Sequence, residues 1–309
     1  MITRRDVLRI GALAGLGLTL GRRAFSKDPL TSRPIPSTGE RLPVIGLGTN
    51  QYGVDAPEER VPLKEVLQRM PELGGKVIDT APAYGRSEEV LGDLLAELGN
   101  RERYFLATKV TAPEGSVEQG KAMLEASLRR LKTSRLDLVQ VHNMDGVDVL
   151  MPVLRAWKEA GKIRYLGITT SRPEAHPRMV ESMTKYPLDF IQVDYSLGNR
   201  NAAERVLALA QERRMGVLVN VPFGGRGRGA ASMFGRVSGR PLPDWAAEID
   251  ATSWAQVFLK YVVSHPAVTA AIPGTTQRKN MEDNQGAGRG RLPDAAMRRR
   301  IEQFWDSLA

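Results

Sequence analysis

From residue 44 onward the chain repeats one beat: a short apolar run, a polar tip, then a segment whose apolar positions recur every three or four residues. The apolar runs fall near 44–49, 76–80, 104–109, 136–142, 163–169, 189–195, 216–222 and 268–273. Their nearly continuous apolar character is that of strands buried on both faces. Between them, Val90, Leu91, Leu94, Leu95 and Leu98 mark one helical face, and Val206, Leu207, Leu209 and Ala210 mark another. Ser116 with Gln119 reads as a capping box ahead of Leu124, Leu128 and Leu131. Trp157 and Trp254 fall within helical segments, where packing is their expected role. Ahead of the first buried run, Ile35-Pro-Ser-Thr-Gly-Glu-Arg-Leu-Pro43 carries turn residues between two short apolar ends and predicts a small hairpin. The long stretch from Phe223 to Ala251 is irregular, with Gly224, Gly225, Gly227 and Gly229 interleaved with Arg226 and Arg228.

Eight strands alternating with helices predict an α/β fold, a (β/α)8 TIM barrel with a short N-terminal β-hairpin, rather than a doubly wound sheet. The placement of polar residues decides between the two. They sit at the carboxyl ends of successive strands, where barrel active sites lie. Val77-Ile78-Asp79 ends in an acid and Tyr84 follows five residues later; Phe105 to Lys109 ends in an amine; Leu138 to His142 ends in an imidazole. With no internal repeat and no second composition, residues 27–309 read as one barrel domain.

Composition narrows the chemistry. A chain of 309 residues, 42% hydrophobic and 26% charged, is long enough for one large core. The absence of cysteine removes disulfides, cysteine-ligated zinc and thiol nucleophiles. Of the three histidines, His176 and His265 lie away from strand tips, so no metal site is predicted. The net charge of +9 includes five arginines against one aspartate in residues 1–26. Arg298-Arg299-Arg300 lies among Met297, Ile301, Phe304 and Leu308 at helical spacing, and reads as a solvated helix face rather than a nucleic-acid contact.

The N-terminus reads as an address. Thr3-Arg4-Arg5-Asp6-Val7-Leu8-Arg9 precedes an uncharged run, Ile10 to Leu20, that is too short and glycine-rich for a comfortable transmembrane helix. Residues 1–26 resemble a bacterial twin-arginine signal peptide, with Ala24-Phe25-Ser26 as a small-x-small cleavage triplet. That resemblance implies the twin-arginine export machinery as a partner and a periplasmic or other extracytoplasmic location reached in the folded state. It implies no stable membrane insertion unless the signal is retained. The route suits a protein that acquires a cytoplasmic cofactor before leaving.

An acid, a phenol, an amine and an imidazole at strand tips suit proton transfer onto a carbonyl oxygen. A phenol of pKa about 10 is a poor shuttle near neutrality, and a nearby ammonium stabilises its phenolate form. A buried ammonium needs a carboxylate to keep its own charge, which gives Asp79 a physical task. Singly, each of these residues has a packing role; the four together at matching strand tips specify chemistry.

On those residues, together with Gly46-Leu47-Gly48-Thr49, Gln192 and Ile272-Pro273-Gly274-Thr275 leading to Asn284, the chain from about residue 33 onward resembles the aldo-keto reductases. The resemblance implies reduction of an aldehyde or ketone to an alcohol, with Tyr84 as general acid, Lys109 lowering its pKa, Asp79 pairing with Lys109, and His142 orienting the carbonyl. It also implies NADP as cofactor, with NAD an alternative, lying extended across the barrel mouth without a Rossmann fingerprint. Expected cofactor contacts are Gly48 and Thr49; Thr169, Thr170 and Gln192; Asn220, Pro222, Phe223, Gly224 and Arg226; and Gly274, Thr275, Thr276, Arg278 and Asn284. The sequence departs from the family pattern at several of these. Thr169-Thr170 stands for a Ser-Asn pair, Asn220 for a stacking tyrosine, and Gly274 and Asn280 for the lysine and arginine that grip a 2′-phosphate. Asn143 follows His142 in place of an aromatic residue, leaving Tyr52 and Asn143 as the expected substrate contacts. A cofactor-binding redox sensor or assembly subunit of the same fold, with little turnover, is the alternative function.

Overall fold

Residues 28–112, 114–225 and 232–308 are described by a computed structural model. The export signal expected in residues 1–26 and the cofactor contact expected at Arg226 lie outside them. Strands β1 (Ser32–Pro34) and β2 (Arg41–Pro43) pair antiparallel. Gly39, at φ 78°, turns the chain between them, and its N–H donates to the Ile35 carbonyl. The expected hairpin therefore starts three residues earlier, and Ile35 sits inside its turn. Eight parallel strands follow: β3 (Leu47–Gly48), β4 (Val77–Asp79), β5 (Phe105–Val110), β6 (Leu136–Val141), β7 (Ile163–Thr169), β8 (Phe190–Asp194), β9 (Gly216–Asn220) and β10 (Ala270–Ala271). Each pairs with the next, and bridges from Ile45 to Ala271 and from Gly48 to Gly274 bring the last strand back to the first. The chain is a (β/α)8 barrel.

The helices are α1 (Pro57–Arg69), α2 (Ser87–Leu98), α3 (Val117–Arg130), α4 (Val147–Glu159), α5 (His176–Lys185), α6 (Ala208–Glu212), α7 (Met233–Arg236), α8 (Trp254–Ser264), α9 (Arg278–Gly286) and α10 (Ala295–Asp306). Val90, Leu91, Leu94 and Leu95 are the buried face of α2, as their spacing requires. Ser116 caps α3 by accepting from the Gln119 N–H at 3.2 Å, but the Gln119 side chain donates to Glu114 instead, so only half of the capping box forms. The arginine block on α10 is not a uniformly solvated face. Arg298 lies over the Tyr261 ring at 4.2 Å and donates to the Tyr195 hydroxyl at 2.7 Å, because its long stem can cover apolar surface while its head finds buried acceptors.

Two apolar layers result from the strand period of two. One face of each strand packs outward on the helices through residues such as Leu106, Val139, Ile168, Ile191 and Val217. The other fills the barrel with Val77, Ala107, Leu138, Leu218 and Ala270, above a floor of Phe105, Tyr165 and Phe190. Those three rings sit 5.5–6.0 Å apart, centre to centre, and the hairpin closes the barrel beneath them with Ile35 and Leu42. Two glycines make room for the floor. A Cβ on Gly216 would lie 2.5 Å from the Phe190 ring, and one on Gly167 would lie 2.4 Å from the Phe190 carbonyl oxygen. The next inward positions along the strands are Asp79, Lys109, Gln140, Thr169, Gln192 and Asn220, so the barrel changes from apolar to polar in one step near its carboxyl end.

Candidate active site

Lys109 and Asp79 stand on adjacent strands, two residues beyond Ala107 and Val77, and are 1% and 2% exposed. The Lys109 Nζ donates to Asp79 Oδ1 at 2.6 Å and to the Thr80 carbonyl at 2.9 Å. Burial alone would drive the ammonium to give up its proton. The charge of Asp79, then the Tyr84 phenol, with hydrogen bonds to both, more than offset it, and the Lys109 pKa ends above its ordinary value. Lys109 is therefore a fixed positive charge, with its Nζ 4.8 Å from the centre of the Tyr84 ring.

The second oxygen of Asp79 is held as well. Gln192 Nε2 donates to Asp79 Oδ2 at 2.8 Å, with Gln140 Nε2 farther off at 3.5 Å. The carbonyl end of Gln192 accepts from Thr169 Oγ1 at 3.0 Å and from Asn220 Nδ2 at 3.4 Å, and Asn220 Nδ2 also donates to the Thr170 carbonyl at 3.0 Å. Six strand tips are thus tied into one buried polar layer. Its open ends are the buried acceptors Gln140 Oε1 and Asn220 Oδ1, which have no donor among the described residues.

Tyr84 hangs over this layer from the turn after β4, where its N–H donates to the Ala81 carbonyl and its carbonyl accepts from Ser87. The rings of Tyr84 and His142 meet edge to face, 6.1 Å between centres. Burial, and secondarily the positive charge of Lys109, lower the His142 pKa to about 4. At neutral pH the imidazole is uncharged, with one N–H to donate. Beyond it, Asn143 and Met144 adopt backbone with positive φ, 52° and 59°.

Above these groups opens a cleft of about 880 Å³, of the size that holds small molecules and cofactors. It is lined by Asp79, Tyr84 and His142, and by the expected contacts Gly48, Thr49, Asn143, Asn220, Pro222, Phe223, Gly224 and Gly274. Thr169, Thr170 and Gln192, expected to touch the cofactor, lie beneath its floor with their polar groups engaged as described. Thr275, Thr276, Arg278 and Asn284 do not line it either; they continue from Gly274 into α9, whose N-terminal N–H groups have no side-chain cap. Arg278 donates to Glu282 at 3.1 Å. Tyr52 is not a substrate wall. It is 0% exposed and packs in the layer between barrel and helices, because the chain after Thr49 turns back with the Tyr52 N–H on the Thr49 carbonyl. Asn50, Gln51, Ser171, Arg172 and Val221 line the cleft without having been singled out in the sequence; each lies one or two residues beyond a position that was. Gln140 was legible too, as the inward neighbour of Leu138 in a period of two.

The profile of the Aldo/keto reductase family matches residues 44–306. The aldo-keto reductase YhdN of Bacillus subtilis is 34% identical over 202 residues, covering 60% of this chain and 60% of that protein, less than two thirds of its length. Methylglyoxal reductase YeaE of Escherichia coli is 30% identical over 248 residues, covering 79% of this chain and 84% of that one. Among solved structures, the aldo/keto reductase from Klebsiella pneumoniae in complex with NADP and acetate superposes with a TM-score of 0.68 at 24% identity, covering 86% of this chain and 93% of that one, a likeness of fold.

The buried pair sets a testable energetic demand. Asp79→Asn leaves the Lys109 ammonium buried without its carboxylate and should destabilise the fold by about 3–5 kcal/mol. Adding Lys109→Met removes the stranded charge and should recover part of that loss. Urea denaturation of the two variants checks this, and an Asp79→Asn midpoint equal to that of the unmutated protein would contradict it.

Proposed function

Since the chain belongs to the aldo/keto reductase family of nicotinamide-dependent oxidoreductases, we propose that it reduces a small aldehyde or ketone to the alcohol, with Tyr84 as the proton donor. The observation that carries this reading is the contact of Tyr84 with a permanently charged Lys109 on one side and a neutral His142 on the other, at the floor of an open cleft. The name of the Escherichia coli relative points to the same class of small carbonyl substrate.

The cofactor proposed is NADP, which the Klebsiella pneumoniae structure carries. The residues present fit such a group. Asn220 Oδ1 is a buried acceptor in need of a donor, as a carboxamide N–H would be. Gly48 and Gly274 line the cleft where an added Cβ would meet Ile272 O at 2.9 Å and Asn50 Oδ1 at 3.0 Å, so the backbone itself forms the wall there. Pro222, Phe223 and Gly224 would cover the middle of the molecule. The uncapped N-terminus of α9, with Arg278 and Lys279, would take a phosphate. Because Arg278 already serves Glu282, its help to a 2′-phosphate is partial, and NAD remains usable. When bound, the nicotinamide supplies the hydride that no protein side chain can.

The chain's own part is the proton. A substrate carbonyl oxygen placed between the Tyr84 hydroxyl and the His142 N–H accepts hydrogen bonds from both, and negative charge that develops on it draws the Tyr84 proton across. Lys109 stabilises the phenolate left behind. Asp79 keeps Lys109 charged and fixed, and Gln192 holds Asp79 in the orientation that does so.

We also propose that residues 1–26 direct export of the folded protein by the twin-arginine route, on the strength of the Thr3 to Arg9 motif. Replacing Arg4 and Arg5 by lysine should retain the protein in the cytoplasm; undiminished recovery from the periplasmic fraction would count against it.

For the chemistry, Tyr84→Phe removes only a hydroxyl. Carbonyl reduction should fall by the ~10²–10⁴-fold expected of a lost general acid, with nucleotide affinity little changed. Steady-state assays with simple aldehydes, paired with fluorescence titration of NADPH, decide it; near-normal turnover would place the proton donor elsewhere.

A further inference from the structure

Two of the described residues that line the cleft carry formal charge, Asp79 and Arg172. Asp79 is spent on Lys109. Arg172 is exposed, and its guanidinium has no acidic partner among the described residues. Its mount, in contrast, is fixed. The Arg172 N–H donates to Thr170 Oγ1 at 3.2 Å, its carbonyl accepts from Ala175 at 3.0 Å, and Pro173 restricts the next φ. The neighbouring turn is tied in by Arg178, which donates to the Met144 carbonyl at 2.9 Å.

The position of Arg172 says which ligand it faces. It follows β7, whose register with β6 pairs Ile168 with Val141, so it stands beside the tip that carries His142 and Asn143. The phosphate-suited end of the cleft, at Gly274 and α9, lies three strands further round, past β8 and β9. The rest of the wall near Arg172 is polar, with Asn143, Ser171 and Asn220. An unpaired planar cation in polar surroundings suits the two oxygens of a carboxylate and offers little to a long apolar tail.

We propose that Arg172 binds a carboxylate on the carbonyl substrate, which makes short oxo acids the preferred substrate class. The proposal rests on the carbonyl-reductase reading above. The test compares 4-oxobutanoate with butanal, which match in chain length and differ in the carboxylate. With NADPH, kcat/KM should favour 4-oxobutanoate by roughly tenfold or more, and the preference should shrink as salt is added, since the cation is exposed. In Arg172→Gln the ratio should collapse towards one, and Arg172→Lys should restore part of it. Equal kcat/KM for the two substrates in the unmutated protein would overturn the proposal. So would a ratio untouched by Arg172→Gln, or a rise in the KM for NADPH in place of the lost ratio, which would put Arg172 on the nucleotide. Reduction of neither compound would count against the reductase reading itself. Calorimetric titration of succinate onto the NADP-saturated protein then decides the Arg172 question separately: binding that is lost in Arg172→Gln upholds it, and absence of binding overturns it.

Discussion

The pair formed by Lys109 and Asp79 is the constraint that the upper half of the barrel is arranged around. Both groups are removed from water, and the cost of desolvating two charges is recovered only when the pair is close and the remaining hydrogen-bonding capacity is filled. The strand tips meet that condition. Lys109 has a carboxylate oxygen and the Thr80 carbonyl, and the second oxygen of Asp79 has the Gln192 amide. The same arrangement creates an electrostatic field at its surface. The fixed cation stands 4.8 Å from the centre of the Tyr84 ring, and its repulsion, added to burial, keeps His142 neutral.

The barrel supplies this layer with its rigidity. Three aromatic rings and a hairpin close the lower end, so the strands cannot collapse inward, and glycines at 167 and 216 leave room for Phe190 among them. With side chains alternating in and out, a single polar residue two places beyond each interior apolar one is enough to build a polar ceiling on an apolar column. Interior apolar packing and the polar site therefore share the same strands. A substitution in the floor that shifts a strand along its neighbours would also shift the residue at its tip.

Much of this was legible in the sequence. The strand period and the acid, amine and imidazole at strand ends located the barrel and its reactive end, because both follow from local patterns. What was not legible depends on where a side chain turns after leaving its strand. Tyr52 was expected in the cleft and lies in the outer core, since one backbone hydrogen bond back to Thr49 reverses the chain there. The hydrogen bonds of Thr169 to Gln192 and of Gln192 to Asp79, between residues more than twenty positions apart, were not legible either. Arg172 carries no signal in a chain with 44 lysines and arginines; only the cleft around it and the lack of an acid beside it distinguish it. Arg298 was read as solvated because its block looked uniform, whereas its neighbours on α8 and the tip of β8 give it a half-buried seat.

In the proposed reaction Lys109 acts through the Tyr84 hydroxyl and not independently of it. A double-mutant cycle in single-turnover hydride transfer tests that most directly, because it excludes product release from the rate. If the account holds, Lys109→Met slows the step severely in the presence of Tyr84 but adds little once Tyr84→Phe has removed the proton, so that the double variant is close to Tyr84→Phe alone. Losses that multiply in full would contradict it and would mean that the two residues contribute to the reaction separately.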